Sequence, residues 1–407
     1  MRIIVQKFGG TSVASEENRR RVAQRIIEAR ESGLAPVVVI SAMGRSGDPY
    51  ATDTLLSLIK DYGELPKRDI DLLLSCGEII SCSVIAATLN RMNQNTVVLT
   101  GREAGIITDD HYGDARIVRI EPHKVLNHLR EGSVVVVAGF QGVNDSGEVT
   151  TLGRGGSDTT ACALGSALNA EVIDIFTDVE GIMTADPRIV DSARLLDRIT
   201  YNEICNLAYQ GAKVIHPRAV ELAMQKNIPI RVRSTFTDTP GTLVCAHGEA
   251  TENGHSIRCD RVITGITQMA NVFQIKVETA SYPDPAAAPS MIFRSLADAG
   301  ISVDLINIQP EVVAFTVDSG EGPRSKAILE AQGFQVRVLP GCAKVSVVGG
   351  GMAGLPGVMA SISEALREQD IAILQSADSH TTIWCLVKNE DMNRAVKALH
   401  DKFSLDK

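Results

Sequence analysis

Three short stretches carry residue types that could handle phosphate and carboxylate groups. In KFGGTS, Lys7 to Ser12, Gly9 and Gly10 let the backbone turn tightly and approach an anion, the amides after them can point at phosphate oxygens, and Lys7 adds a full positive charge. Such a loop is either a phosphate cradle or a structural turn with an incidental lysine. It is not a Walker A loop, because G-K-[ST] occurs nowhere in the chain. In TLGRGGSDTT, Thr151 to Thr160, three glycines clear space and Arg154 can grip a carboxylate or phosphate with its planar fork, while Ser157 and Asp158 stand at a helix entrance. Asp158 could be a plain helix cap, but Arg-Gly-Gly-Ser-Asp together is richer than a cap demands. In LLLSCGEIISC, Glu78 follows Leu74 by four residues and precedes Cys82 by four, so a carboxylate shares an apolar helix face. It needs a positive partner there, a substrate ammonium or an internal arginine.

Further stretches are plainer. FTDVEGIMTADPR offers Thr177, Asp178, Asp186 and Arg188, all of which could be turn and cap residues. In YQGAKVIHPRA, Lys213 is ambiguous and His216 before Pro217 looks like a helix start. Near the C-terminus VSVVGGGMAGLPG spells G-x-G-x-x-G through Gly349, Gly351 and Gly354, a spacing found wherever a strand turns sharply into a helix. Eight cysteines form no C-x-x-C pair, which suits reduced thiols. Cys245, His247, His255 and Cys259 could offer four zinc ligands, but the spacing is unusual for zinc and the intervening residues read as a polar linker.

The elements that must position these residues follow from the length and the patterning. The 407 residues, 44% hydrophobic, suffice for about two or three domains. A net charge of −9 argues against nucleic acid or an anionic membrane as partner. The N-terminus lacks the apolar run of a signal sequence, and no stretch approaches a spanning helix, so the expected location is cytoplasmic. Residues 1–245 alternate strands (Arg2 to Gln6, Val37 to Ser41, Thr96 to Thr100, Ser133 to Ala138, Val172 to Thr177, Ile230 to Arg233) with amphipathic helices (Glu17 to Arg30, Arg68 to Arg91, Pro122 to Arg130, Thr159 to Leu168, Pro217 to Lys226). That alternation predicts an α/β fold with a mostly parallel sheet, ligands binding at the carboxyl ends of the strands.

After a linker over 246–262 the chain repeats itself. Shifted by seventy positions, Ile275 falls on Val345, Val277 on Val347, Leu296 on Leu366, Ile301 on Ile371 and Val317 on Val387. Each copy has a ferredoxin-like order of elements, over 263–340 and 341–407. The glycine fingerprint belongs to the second copy; its counterpart TASYPDPAAAPS in the first keeps small and turn residues but no fingerprint, which a dinucleotide site does not explain. The repeat resembles paired ACT domains, modules that bind amino-acid effectors or serve as plain dimerisation units.

In order, KFGGTS, VISAMG, SCGE, AGFQG, TTLGRGGSDTT, FTDVEGIMTADPR, GAKVIHPRA and RVRSTF resemble the aspartate kinases over nearly the whole chain. The resemblance implies the amino acid kinase fold, an α/β/α sandwich followed by two ACT domains, and phosphorylation of the side-chain carboxylate of L-aspartate by ATP with Mg²⁺. That reaction opens lysine, threonine and methionine synthesis. It implies catalytic roles for Lys7 and Asp158 and aspartate contacts from Ser41, Thr52, Glu78, Arg154, Gly155, Gly156 and Ser157. ATP contacts are implied for Lys7, Phe8, Gly9, Gly10, Ser157, Thr177, Asp178, Met183, Asp186, Arg188, Lys213 and Val214, with no protein ligand assigned to the metal. In the ACT copies Asn307, Ile308, Gln375 and Ser376 stand at strand ends as effector contacts, and the module predicts at least a homodimer. The ending ILQSADSHTTIWCLV is most like diaminopimelate-responsive members from spore-forming bacteria, with lysine or threonine as other effectors. RSGDPYA, Arg45 to Ala51, departs from the family by intervening between SAMG and Thr52. Glutamate 5-kinases and uridylate kinases share such loops without a tandem ACT tail; a catalytically silent amino-acid sensor is the rival of another class.

Overall fold

Runs such as IIVQKF, APVVVI and VVVVA are apolar on both sides, as strands covered by helices on both faces must be. In the computed structural model, which describes residues 1–60, 63, 65–212, 214–246 and 262–407, they form the middle of an eight-stranded sheet. Its order is Arg198–Thr200, Thr242–Cys245, Ile230–Ser234, Val172–Thr177, Ile3–Phe8, Ala35–Ile40, Val134–Ala138, Thr96–Leu99. The strands from Ile230–Ser234 to Thr96–Leu99 run parallel, and Thr242–Cys245 reverses against Ile230–Ser234. Register sets Phe8 beside Ile40 and Phe176, and Ile40 beside Ala138. The loops that begin at Gly9, Ser41, Gly139 and Asp178 therefore leave one edge of the sheet side by side.

Strand alternation then sorts the side chains. Phe8, Val38, Ile40, Val136 and Ala138 share a core with Val22 and Ile26 of the helix Glu16–Glu31 and with Cys82, Ile85 and Leu89 of the helix Lys67–Arg91. Val5 and Lys7 take the opposite face, where the helix Gly156–Ala167 packs so closely that a Cβ on Gly165 would meet Ile173 at 2.5 Å. A second sheet, in the order Ile117–Ile120, Ile106–Thr108, Gln141–Val143, Val149–Thr151, was not legible from the periodicity. The buried Asp71 ties it to Lys67–Arg91 by accepting from the amides of Gly113 (3.0 Å) and Thr151 (2.8 Å) and from the Thr151 hydroxyl (2.7 Å). Lys67–Arg91 is long and apolar enough by composition to cross a membrane, against the sequence expectation. Half of its most apolar window is buried inside the fold, because it lies between a large sheet and a small one.

Residues Met183–Arg194 and Tyr209–Ala212 join the described residues from 262 onward in a second compact unit, whereas the sequence reading kept them with the first 245. The physical reason is that Ala185 and Val190 fill a core with Ile266, Val345, Ile362 and Leu399. This unit holds a six-stranded sheet in the order Asp304–Ile308, Val312–Val317, Gly265–Glu278, Gln335–Val348, Thr382–Lys388, Gln375–Asp378. The seventy-residue repeat recurs in its hydrogen bonds: Thr279 N–H to Glu311 O (2.9 Å) matches Gly349 N–H to Thr381 O (3.0 Å), and Ile301 N–H to Leu296 O (2.9 Å) matches Ile371 N–H to Leu366 O (2.9 Å). The G-x-G-x-x-G segment is thus the strand-to-helix turn of a repeated module.

The two copies are not successive beads. Gly265–Met269 and Val272 pair with Lys344–Val348 and Cys342 of the second copy, and only Gln274–Glu278 pairs with Gln335–Leu339 of the first, so one strand serves both and the division at 340 falls inside the other long strand. Along that strand Lys344 is 2% exposed and is held by Asp304, whose own backbone carbonyl accepts from Thr316 (3.1 Å). A buried ammonium stripped of its partner is costly. Because the Asp304 side chain is 58% exposed, water shares its load, and we expect Asp304→Ala to lower stability to urea by about 1 kcal/mol, with Lys344→Met recovering most of the loss. Equal stability of Asp304→Ala and wild type would show that the pair carries no such load.

Candidate active site

Lys7 and Asp158 meet because the strand Ile3–Phe8 points its fifth residue, Lys7, at the face covered by Gly156–Ala167, whose first turn contains Asp158. Nζ lies 2.7 Å from Oδ1, with the side chains only 13% and 12% exposed. The approach is not directional enough for a hydrogen bond, and Oδ1 has no hydrogen-bond partner among the described residues. Asp158 therefore offsets the charge of Lys7 by proximity while both keep capacity for a ligand. It does not cap its helix, since no side chain bonds the helix amides there. Gly9 and Gly10 follow at once. A Cβ on Gly10 would meet the carbonyl oxygens of Ala42 at 2.5 Å and Gly44 at 2.6 Å, and Gly44 N–H donates to Gly10 O (3.0 Å). Only a glycine lets these two loops touch. Beneath them the rings of Phe8 and Phe176 stack at 4.6 Å.

Glu78 projects from the middle of Lys67–Arg91 and is 2% exposed. Its Oε1 accepts from Ala42 N–H (3.0 Å), and Oε2 has no partner among the described residues, so no internal arginine meets it. Burial pushes its carboxyl up from the ordinary 4.5 to about 8, against the smaller downward pull of the Ala42 hydrogen bond. Ser41 precedes Ala42 and is anchored through its N–H to Phe8 O (3.2 Å). Thr52 opens the short helix Thr52–Ser57, and the RSGDPYA segment before it folds against Gly77, where a Cβ would lie 3.0 Å from Tyr50 O and 3.2 Å from Leu55 Cδ1. The departure from the family pattern thus still brings Thr52 to the helix that carries Glu78.

The glycine-rich loop is built around tight backbone approaches. Gly155 has φ +71°, and a Cβ there would lie 2.4 Å from His216. Gly156 begins the helix against Phe140, itself at φ +66° with its N–H held by the Thr160 hydroxyl (3.1 Å). A non-glycine residue in that region is strained backbone of the sort that clusters at functional sites. Ser157 is buried beside Gly139, while Arg154 is exposed and makes no ion pair or hydrogen bond among the described residues. Thr177 donates to Asp178 (3.2 Å), and Asp178 pairs with Arg45 at 2.6 Å, a partner that sequence reasoning passed over. The signal for Arg45 was its place in the departing RSGDPYA segment.

The other expected nucleotide contacts divide between the two units. Met183, Asp186 and Arg188 belong to the second unit, where Asp186 is chelated by Arg188 (2.7 Å and 3.0 Å), whose hydrogen bonds lower its pKa. Val214 is half-buried in the first unit, and Lys213 lies outside the described residues. So do His247, His255 and Cys259 of the zinc reading; Cys245 is buried in a strand. In the second unit Gln375 accepts from Gln274 (2.8 Å) and donates to the Leu305 carbonyl, whereas among the described residues Asn307, Ile308 and Ser376 keep only strand pairing, with Ile308 and Ser376 exposed.

The chain matches the Amino acid kinase family over residues 2–234 and an ACT domain over residues 337–401. It is 50% identical to Aspartokinase 1 of Bacillus subtilis, covering the full length of both chains, and 43% identical to an aspartokinase of Geobacillus stearothermophilus, covering 100% of this chain and 98% of the relative. Among solved structures it resembles E. coli aspartokinase III in complex with aspartate and ADP, in the R-state (TM-score 0.80, 27% identity, 98% and 99% coverage). It also resembles the same enzyme with lysine and aspartate in the T-state (TM-score 0.77, 27% identity, 98% and 99% coverage). With a kinase-family match over more than half its length and relatives identical at up to half of all positions, this chain belongs to the aspartokinase family.

Proposed function

We propose that this chain catalyses ATP + L-aspartate → ADP + 4-phospho-L-aspartate, under feedback by an amino-acid effector at its ACT copies. The observation that carries the reading is the partly shielded Lys7–Asp158 pair beside the Gly9–Gly10 loop, at the strand ends where Glu78 keeps one carboxylate oxygen without a partner. A side-chain carboxylate oxygen of aspartate attacks the γ-phosphorus, the new P–O bond forms as the bridging P–O bond breaks, and ADP leaves with the electron pair. No proton moves, because the nucleophile is already ionised, so the protein's work is positioning and charge neutralisation.

Lys7 stabilises the transferring phosphoryl group, and Asp158 holds Lys7 in place. Glu78 takes the substrate ammonium; Arg154, mobile enough as an exposed side chain to close on it, takes the α-carboxylate, with Ser41, Thr52 and the Gly155–Gly156–Ser157 backbone around them. Phe8, Gly9, Gly10, Ser157, Thr177, Asp178, Lys213 and Val214 are the nucleotide contacts. Mg²⁺, which the reaction calls for, would be held chiefly by phosphate and water and would neutralise charge on the triphosphate. The effector is diaminopimelate, lysine or threonine, bound near Asn307, Ile308, Gln375 and Ser376. The enzyme is cytoplasmic and at least dimeric through its ACT copies, a state favoured by Ile306 and Ile308 exposed on the edge strand Asp304–Ile308.

Acyl phosphate trapped as the hydroxamate, from aspartate but not glutamate, tests the activity, and the amino acid that suppresses it names the effector. Lys7→Ala should lower kcat about 10²–10³-fold. Undiminished turnover would refute the role of Lys7. Glu78 supplies a proton-linked test. Its carboxyl, raised to about 8, keeps its proton in the free enzyme, so its contribution to stability is present at acid pH and fades as pH rises through 8. An ammonium selects the charged form, so aspartate binding should expel about 0.9 proton at pH 7 and tighten as pH rises toward 8. Calorimetry in two buffers of different ionisation enthalpy reads the release; Glu78→Gln should abolish it, and a wild-type heat independent of buffer would sink the assignment.

A further inference from the structure

The reaction proposed above brings a carboxylate and a triphosphate together, yet the lysine at its centre is already offset by Asp158. Among the described residues Arg45 is an exposed cation with no role yet assigned, paired to a loop that leaves the same edge of the sheet. In the sheet the strand Ile3–Phe8 lies between Val172–Thr177 and Ala35–Ile40. Asp178 follows the first neighbour and Arg45 the second, so their ion pair joins the loops on either side of Gly9–Gly10.

The two ends of Arg45 are held very differently. Its backbone is fixed: its N–H donates to Asp48 (2.7 Å), and the residue before it, Gly44 at φ +90°, donates its own N–H to Gly10 (3.0 Å). A Cβ on Gly44 would run into the Asp48 side chain at 2.5 Å, so the turn that aims Arg45 depends on that glycine. The side chain, by contrast, is 70% exposed and has a single acidic partner among the described residues, itself 43% exposed. Exposed ion pairs of this kind are weak and readily exchanged. A planar guanidinium matches phosphate oxygens bidentately, which a lysine cannot do.

We propose that Arg45 is a phosphate clamp, and that its pairing with Asp178 is the resting position it leaves to bind the β- and γ-phosphate oxygens of the nucleotide. The inference rests on the kinase reading. Its test measures ATP, ADP and AMP binding to the full-length chain by calorimetry, with wild type, Arg45→Ala and Arg45→Lys, alongside the KM values for ATP and aspartate. A clamp on the phosphate tail predicts that Arg45→Ala weakens ATP at least tenfold, ADP less and AMP hardly at all. The KM for aspartate should stay unchanged, and Arg45→Lys should fall between Arg45→Ala and wild type.

A loss equal for all three nucleotides would make Arg45 a loop brace only, and no loss for ATP would make the pair incidental; either overturns the clamp. If wild type itself neither binds ATP nor forms product, the kinase reading fails first, and the comparison of variants separates that outcome from failure of the clamp alone. Should Arg45→Ala not fold, as judged by its thermal melt, Arg45→Gln carries the same comparison with the stem of the side chain retained.

Discussion

Phosphoryl transfer to a carboxylate forces two anions into contact, and the local structure of the first unit is organised by where the compensating charge sits. Lys7 can reach Asp158 only because register and alternation put it on the face covered by Gly156–Ala167, and because the strand ends beside it are in line. The Gly10 contact with Ala42 and Gly44 fuses the first two loops at a distance no side chain would permit. The same Ala42 offers its amide to Glu78, so one loop is braced by the Gly9–Gly10 turn on one side and supports the buried Glu78 carboxyl on the other. Moving any of these glycines or the strand register would shift several charges at once.

That economy explains which parts of the site were legible beforehand. Lys7 with two glycines, and Arg154 to Asp158 with three, combine backbone freedom and charge within a few residues, and such local coincidences survive in a linear sequence. Glu78 was visible because a carboxylate on an apolar face has few innocent explanations; its lack of an arginine partner was not, since that depends on chains folded around it. The pairing of Arg45 with Asp178 escaped notice because the two lie 133 residues apart, although Arg45 stands in the departing RSGDPYA segment.

The fold divides along similar lines. Long helices and fully buried parallel strands announce themselves through period and apolar content, and the six strands and five helices read from the sequence all occur, with ends shifted by a few residues. Strands of three or four residues such as Ile106–Thr108 and Val149–Thr151 hold too little alternation to register. Neither the excursion Met183–Arg194 nor the strand shared between the ACT copies changes any local pattern. What decides them is which core the apolar residues enter: Ile263 and Ile266 pack with Val345 and Val347, whereas Ile275 and Val277 pack with Phe315 and Val336.

Sharing of that strand has a physical consequence for regulation. Gln375, from the second copy, donates to the Leu305 carbonyl of the first and accepts from Gln274, while Leu305 sits at φ +48° next to the Asp304 that holds Lys344. The contact therefore joins a strained residue, a buried charge and both long strands. Because Gly265–Glu278 and Gln335–Val348 run through both copies, a shift of one copy's edge is carried to the other by backbone pairing rather than across a linker. Two independent ACT modules would need an interface to communicate. Here the covalent chain is the interface, and the Gln375 amide on the Leu305 carbonyl adds a side-chain tie between the copies.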